Sequence, residues 1–288
     1  MFGYSKQAYY KQLHYQEQES FEEYLIVGLI NQKRKIWKRG SGRNLWKALQ
    51  ADFLEHNISI GRDKFFDLLR RNGLLVHIKK RRIKTTDSYH RYHKYPNLIR
   101  GLKPLKANEI WASDITYLWL RKSDCFCYLF LITDMYSRKI IGYCVSSSLH
   151  AQGAIISLHM ALENSESQRT KGCIHHSDRG IQYACDAYTN ILNNNSFLIS
   201  MTEKSDPLEN AIAERVNKTI KEEFTHQKEI SFTTIAAAKQ SIKQFIDFYN
   251  SQRPHRSIDW LTPNDAYRRE GELKRHWKMY IRKAKGDF

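Results

Sequence analysis

The chain has 288 residues, 41% of them apolar, and a formal net charge of +17. No apolar run approaches the roughly 18 residues a membrane span needs, and the opening MFGYSKQAYYKQ lacks the apolar core of a signal peptide. Five cysteines without a CxxC pair or framework spacing argue against a disulfide scaffold, so the expectation is a soluble cytoplasmic protein with reduced thiols and no membrane partner.

The charge is unevenly placed. Up to Pro104 there are 22 Lys/Arg against 9 Asp/Glu; from Leu105 onward there are 25 against 21. A basic arm beside a nearly balanced body reads as a phosphate-binding module attached to a working domain, although charge alone does not name a partner.

Residues 1–74 read as helical. Phe21, Tyr24, Leu25, Leu29 and Ile36 predict a helix over 20–37 that closes in the basic run KRKIWKRG. In GRNLWKALQADFLEHNISIGRDKFFDLLRRNGLLV, Leu45, Leu49 and Phe53 mark one amphipathic helix, and Phe65, Phe66, Leu68 and Leu69 mark a second. The turn-favouring NISIG lies between them, and Gly73 supplies a stop. Two short helices across a tight turn fit a helix-turn-helix, with Arg62, Lys64, Arg70 and Arg71 on the second helix as DNA contacts. A plain helical hairpin fits the same pattern.

Residues 75–107 are basic and weakly periodic, a linker suited to tracking a phosphate backbone. His90 and His93 form an HxxH pair, but no cysteine pair follows to complete a structural zinc site. Residues 108–268 form the balanced body. Strands are expected at 111–120, 125–133, 139–146, 173–177 and 197–201, and helices at 151–163, 183–194 and 209–224. Three meandering strands followed by alternating helices and parallel strands describe an α/β, ribonuclease-H-like mixed sheet with flanking helices. Residues 269–288 are a basic tail.

Three acids stand out. Asp114 lies mid-strand in EIWASDITYLWL, sharing a face with Ala112 and Thr116, where an unpaired charge is costly unless it meets a cation, hydrogen bonds or water. Asp178 ends the strand in GCIHHSDRGIQYA, before a glycine turn, with His176 as a supporting group because Mg²⁺ prefers oxygen. Glu214 follows after 35 intervening residues, on a helix where Lys218 and Lys221 share its stripe. That stripe fits an ordinary salt-bridged surface as well as a metal ligand flanked by two phosphate contacts. Asp134, in LITDMYSR, is a rival acid that reads as structural. Acids from two strands and a helix make a cage for Mg²⁺, and two such ions can drive chemistry at a phosphodiester.

WASDITYL, TDMYSRKIIGY, HHSDRGIQYA, SMTEKSDPLENAIAERVNKTIKEEF and FYNSQRPHRSIDWLTPNDAY, in this order, carry a resemblance that covers nearly the whole chain. The chain resembles the DDE transposases of bacterial insertion sequences in the retroviral-integrase superfamily, and within them the B-frame product of the insertion-sequence-three family. The resemblance implies that Asp114, Asp178 and Glu214 bind two Mg²⁺, with Mn²⁺ as a substitute, and that Lys221 touches the transposon end. Asn210 and His176 are implied to support the acids, and Lys218 to join Lys221 on DNA. The family usually carries Asp-Asn where this chain has Glu209–Asn210, which keeps the charge on a longer side chain. The implied partners are the terminal inverted repeats, target DNA and further copies of the chain on DNA, in the cytoplasm at the nucleoid. An upstream-frame product as a fusion partner is also implied, since no leucine-zipper heptads occur here. The alternative is a non-catalytic DNA-binding regulator or relic occupying the element's ends. A plain ribonuclease-H-type nuclease has no use for the basic helical arm.

Overall fold

Side chains alternate across the strand 110–120, and both of its faces are buried, so this segment sits at the centre of the sheet. The computed structural model describes residues 6–76, 91–165, 170–203, 211–224, 232–274 and 276. Residues 77–90 of the expected linker, including His90, the Glu209–Asn210 pair and most of the basic tail lie outside the described residues.

Strand β1 (Ile110–Leu120) pairs antiparallel with β2 (Cys125–Asp134), which pairs antiparallel with β3 (Ile140–Ser146). On its other side β1 pairs parallel with β4 (Ile174–Ser177), and β4 pairs parallel with β5 (Leu198–Met201). The order β3-β2-β1-β4-β5 is the ribonuclease-H-like mixed sheet expected from the element order. The β1–β4 register covers only Ile110 to Ala112, so β1 continues past the end of β4 and leaves an open notch in the sheet. Active residues of parallel sheets collect at such strand ends.

Trp111, Phe130 and Ile132 pack into one core with helix α5 (Ala151–Glu163) and with α6 (Ile181–Ala184) and α7 (Asp186–Asn194). The last two stand where one helix over 183–194 is expected, because Cys185 is extended and breaks the run. Leu118, Leu120, Leu129 and Leu131 form the opposite core with α8 (Ala211–Thr219) and α9 (Ile235–Ser251). The expected helix over 209–224 is α8 continued by a π-helical turn, Ile220–Phe224. A short α10 (Pro263–Tyr267) follows, with Thr262 Oγ1 accepting the Asp265 N–H as its cap.

Ahead of the sheet, α1 (Lys6–Arg34) starts earlier than the spacing predicts. Its inward positions are Ile26 and Ile30, one turn apart; Phe21 and Tyr24 are 63% and 75% exposed, contrary to the expected apolar face. Then come α2 (Gly42–Ala48) and α3 (Gln50–Glu55), broken at Leu49, and α4 (Arg62–Arg71). Leu45, Leu49, Phe53, Phe65, Leu68 and Leu69 close one small core with Trp37 and with Phe248 of α9. No helix among the described residues is long and apolar enough to cross a membrane.

Candidate active site

At the notch, Asp114 turns toward the α8 face of β1. Its Oδ1 accepts the Ile115 N–H at 2.8 Å and its Oδ2 accepts the Asn217 side-chain N–H at 2.6 Å. Burial pushes its carboxyl up to about 7, and the Asp178 and Glu214 charges push the same way against those two hydrogen bonds. Asp178 and Glu214 therefore each lie within electrostatic reach of Asp114. Asp178 follows β4; its Oδ1 accepts the Gly180 N–H at 3.0 Å. A Cβ on Gly180 would meet that oxygen at 2.9 Å, so any larger residue there would displace the Asp178 carboxylate.

Glu214 sits exposed in the first turn of α8, its carboxyl raised by partial desolvation. Among the described residues no group of three or more His, Cys, Asp or Glu side chains is disposed to hold a metal ion. The expected cage is thus not closed: Asp114 is turned onto Asn217, and Glu214 faces outward. The donor chemistry nevertheless fits a hard cation. Thr116 Oγ1, on the Asp114 face of β1, and Asn217 Oδ1 are buried oxygens without a hydrogen-bond partner among the described residues.

Lys221 is half-buried; burial lowers its ammonium and the Asp114 charge raises it, which puts this cation beside the acids rather than on an outer stripe. Lys218 is exposed and pairs with Glu222 at 3.6 Å, the ordinary i,i+4 contact. His176 bonds through Nδ1 to Ser200 Oγ at 2.8 Å, tying β4 to β5. His175 lies beneath the site, its Nε2 within 2.7 Å of Ser113 Oγ and 2.9 Å of Tyr188 OH, and burial pushes it down to about 3, so it stays neutral. Asp134 is structural: Oδ1 accepts the Asn108 N–H at 2.8 Å, and Oδ2 accepts Ser137 N–H and O–H at 2.7 and 2.6 Å.

The predicted DNA contacts on α4 stand apart from these acids. Arg62 pairs with Asp63 at 2.8 Å, Arg71 with Glu23 at 2.8 Å, and Arg70 with Asp67, while Lys64 is exposed. Such exposed pairs are weak and screened by solvent, so phosphates can displace them readily. Asn217 was missed by sequence reasoning, although its place three residues after Glu214 puts it near the same helix face.

Residues 104–207 and 195–263 match two family models, each described as the integrase core domain. An uncharacterized 31 kDa protein of insertion element IS600 from Shigella sonnei is 30% identical over 91% of this chain and 94% of its own length. The transposase for insertion sequence element IS904 from Lactococcus lactis subsp. lactis (strain IL1403) is 28% identical over 77% of this chain and 92% of its own. Transposase InsF of insertion sequence IS3A from Escherichia coli (strain K12) is 32% identical over 54% of this chain and 52% of its own.

Proposed function

Since this chain belongs to the bacterial insertion-sequence transposases of the integrase superfamily, we propose that Asp114, Asp178 and Glu214 are its catalytic acids for cutting and joining element ends. The observation that carries this reading is Asp114 itself. A half-buried carboxylate pushed up to about 7 beside two other acids is a poor stabilising element and a good cation ligand.

Asp114 with Asp178, and Asp114 with Glu214, would hold two Mg²⁺, for which Mn²⁺ would substitute, and the bound ions would make the attacking water more acidic and stabilise negative charge on the departing oxygen. Asn217 holds the Asp114 carboxylate in place, and Gly180 holds that of Asp178. Lys221 adds positive charge beside Asp114, where a scissile phosphate brings negative charge. Lys218, and Arg62, Lys64, Arg70 and Arg71 on α4, contact phosphates of the element end. His176 stiffens β4 behind Asp178, and Asn210, outside the described residues, supports the acids.

Cutting is attack by water on phosphorus: a P–O bond forms, the P–O3′ bond breaks, and the 3′ oxygen leaves with a proton as the free 3′-hydroxyl. That hydroxyl then attacks a target phosphorus and displaces a target 3′ oxygen, so one bond replaces another without an energy cofactor. The partners are the terminal inverted repeats, target DNA and further copies of the chain, since joining two ends takes at least two sites. An upstream-frame fusion is a further partner. The test is nicking of a labelled duplex that carries the element's end, with Mg²⁺, with EDTA and with Asp178→Asn. Metal-dependent nicking lost in the variant is expected; binding without nicking, even with the upstream frame fused, returns the chain to a DNA-binding regulator.

A further inference from the structure

Glu223 lies nine residues after Glu214 on the same continuous helical run, in its π-helical end. Its carboxylate is shared between two parts of the chain that are far apart in sequence. Oε2 accepts Trp37 Nε1–H at 2.5 Å and Arg253 Nε–H at 2.8 Å; Oε1 accepts Arg253 Nη2–H at 2.6 Å. Trp37 is fully buried in the small core that carries α4, and Arg253 and Glu223 have side chains only 7% and 14% exposed.

Further contacts converge on the same point. The Glu223 carbonyl accepts the Arg39 N–H at 2.9 Å. Trp37 packs against Phe248 of α9 in a tilted contact with ring centroids 5.2 Å apart, and the Arg253 guanidinium lies over the rings of Trp37 and Tyr249, each at 5.7 Å. A Cβ on Gly40 would meet the Trp37 ring at 2.6 Å, so the chain passes as closely as glycine permits. A buried, bidentate charge pair with a third donor is directional where an apolar contact is not, and this directionality sets an orientation. Its loss would leave a buried guanidinium without its carboxylate partner.

We propose that Glu223 is a positioning residue: clamped between Trp37 and Arg253, it registers the N-terminal helical unit against the helix that bears Glu214. The DNA end held by α4 is thereby presented to the acids at one phosphodiester. This rests on the function proposed above, in which α4 reads the end and Glu214 serves the cut.

The test uses the full chain with Glu223→Gln, which removes the charge, and Trp37→Phe, which keeps a ring but removes the N–H donor. Lys243→Gln, which breaks the remote exposed pair with Asp247, is the control. Three quantities are read: amide exchange over residues 37–45 and 220–224, affinity for the end duplex, and the position and rate of nicking. In both variants affinity stays within about threefold, while exchange at the two segments rises about tenfold. Nicks spread to neighbouring phosphodiesters, and the rate at the wild-type position falls on the order of tenfold to a hundredfold. Wild-type nick position and rate in both variants overturn the proposal, as does a loss of nicking that only follows a loss of end binding. If the wild-type protein itself does not nick, the proposed function fails, and the exchange data still decide the clamp: unchanged protection overturns it.

Discussion

Asn217 on α8 donates to Asp114 on β1 at 2.6 Å, across 103 residues of sequence. The bond joins the helix that carries Glu214 to the strand that carries the first acid. It also opposes the rise in the Asp114 carboxyl that burial and the neighbouring acids produce.

Asn217→Ala is therefore expected to raise that carboxyl further and to weaken divalent-cation binding at neutral pH. A hydrogen bond to a charged group is worth about 1.5–3 kcal/mol, which corresponds to a loss of about tenfold or more in Mg²⁺ affinity. Calorimetric titration with Mg²⁺ measures it, and an unchanged affinity would remove Asn217 from the site.

Metal-free stability should depend on pH through Asp114. Its carboxyl is raised from an ordinary 3.8 to about 7, so the folded state holds a proton that the unfolded chain has lost. That contribution is complete below about pH 4 and disappears as pH rises through about 7, an effect of about 4 kcal/mol at most. In EDTA, Asp114→Asn should match the wild type near pH 4 and exceed it near pH 8. Urea unfolding at the two pH values checks this; parallel losses in both proteins would contradict it.

Asp134 and Asp178 should separate cleanly. Asp134→Ala leaves the Asn108 and Ser137 donors buried and unpaired, and lowers stability by about 3 kcal/mol or more. Asp178→Asn keeps the shape of its turn and should unfold close to the wild type while nicking is lost. Thermal melts beside nicking assays would show a reversed order if the acids were misassigned.

Gly142 faces α5 so closely that an added Cβ would lie 2.1 Å from the Ser157 carbonyl. Backbone has to move to admit it, so Gly142→Ala should cost about 3 kcal/mol. A melting temperature unchanged by the substitution would mean that β3 and α5 separate easily.

On α4, Lys64→Ala should reduce the salt dependence of end binding by about one in the slope of log affinity against log salt. Asp67→Asn should tighten end binding, because it frees Arg70 from its protein partner. Fluorescence anisotropy across a salt series measures both, and a tighter complex after Lys64→Ala would place the DNA elsewhere.

The sequence by itself determined the order of strands and helices, because period-two and helical patterns are written in near neighbours and each buried face imposes one. It also singled out Asp114 and Asp178 as candidates, since a lone acid in an apolar strand or before a glycine turn is conspicuous locally. Periodicity did not reveal that Phe21 and Tyr24 are exposed, because a helix face is buried only if another element covers it. Nor did it reveal Asn217 on Asp114, Lys221 beside the acids, or Trp37 and Arg253 on Glu223, whose partners lie 30 to 186 residues apart where those bonds are measured. Only the tertiary structure decided these contacts, because a directional hydrogen bond between distant segments depends on how whole elements pack and leaves no local pattern in the chain.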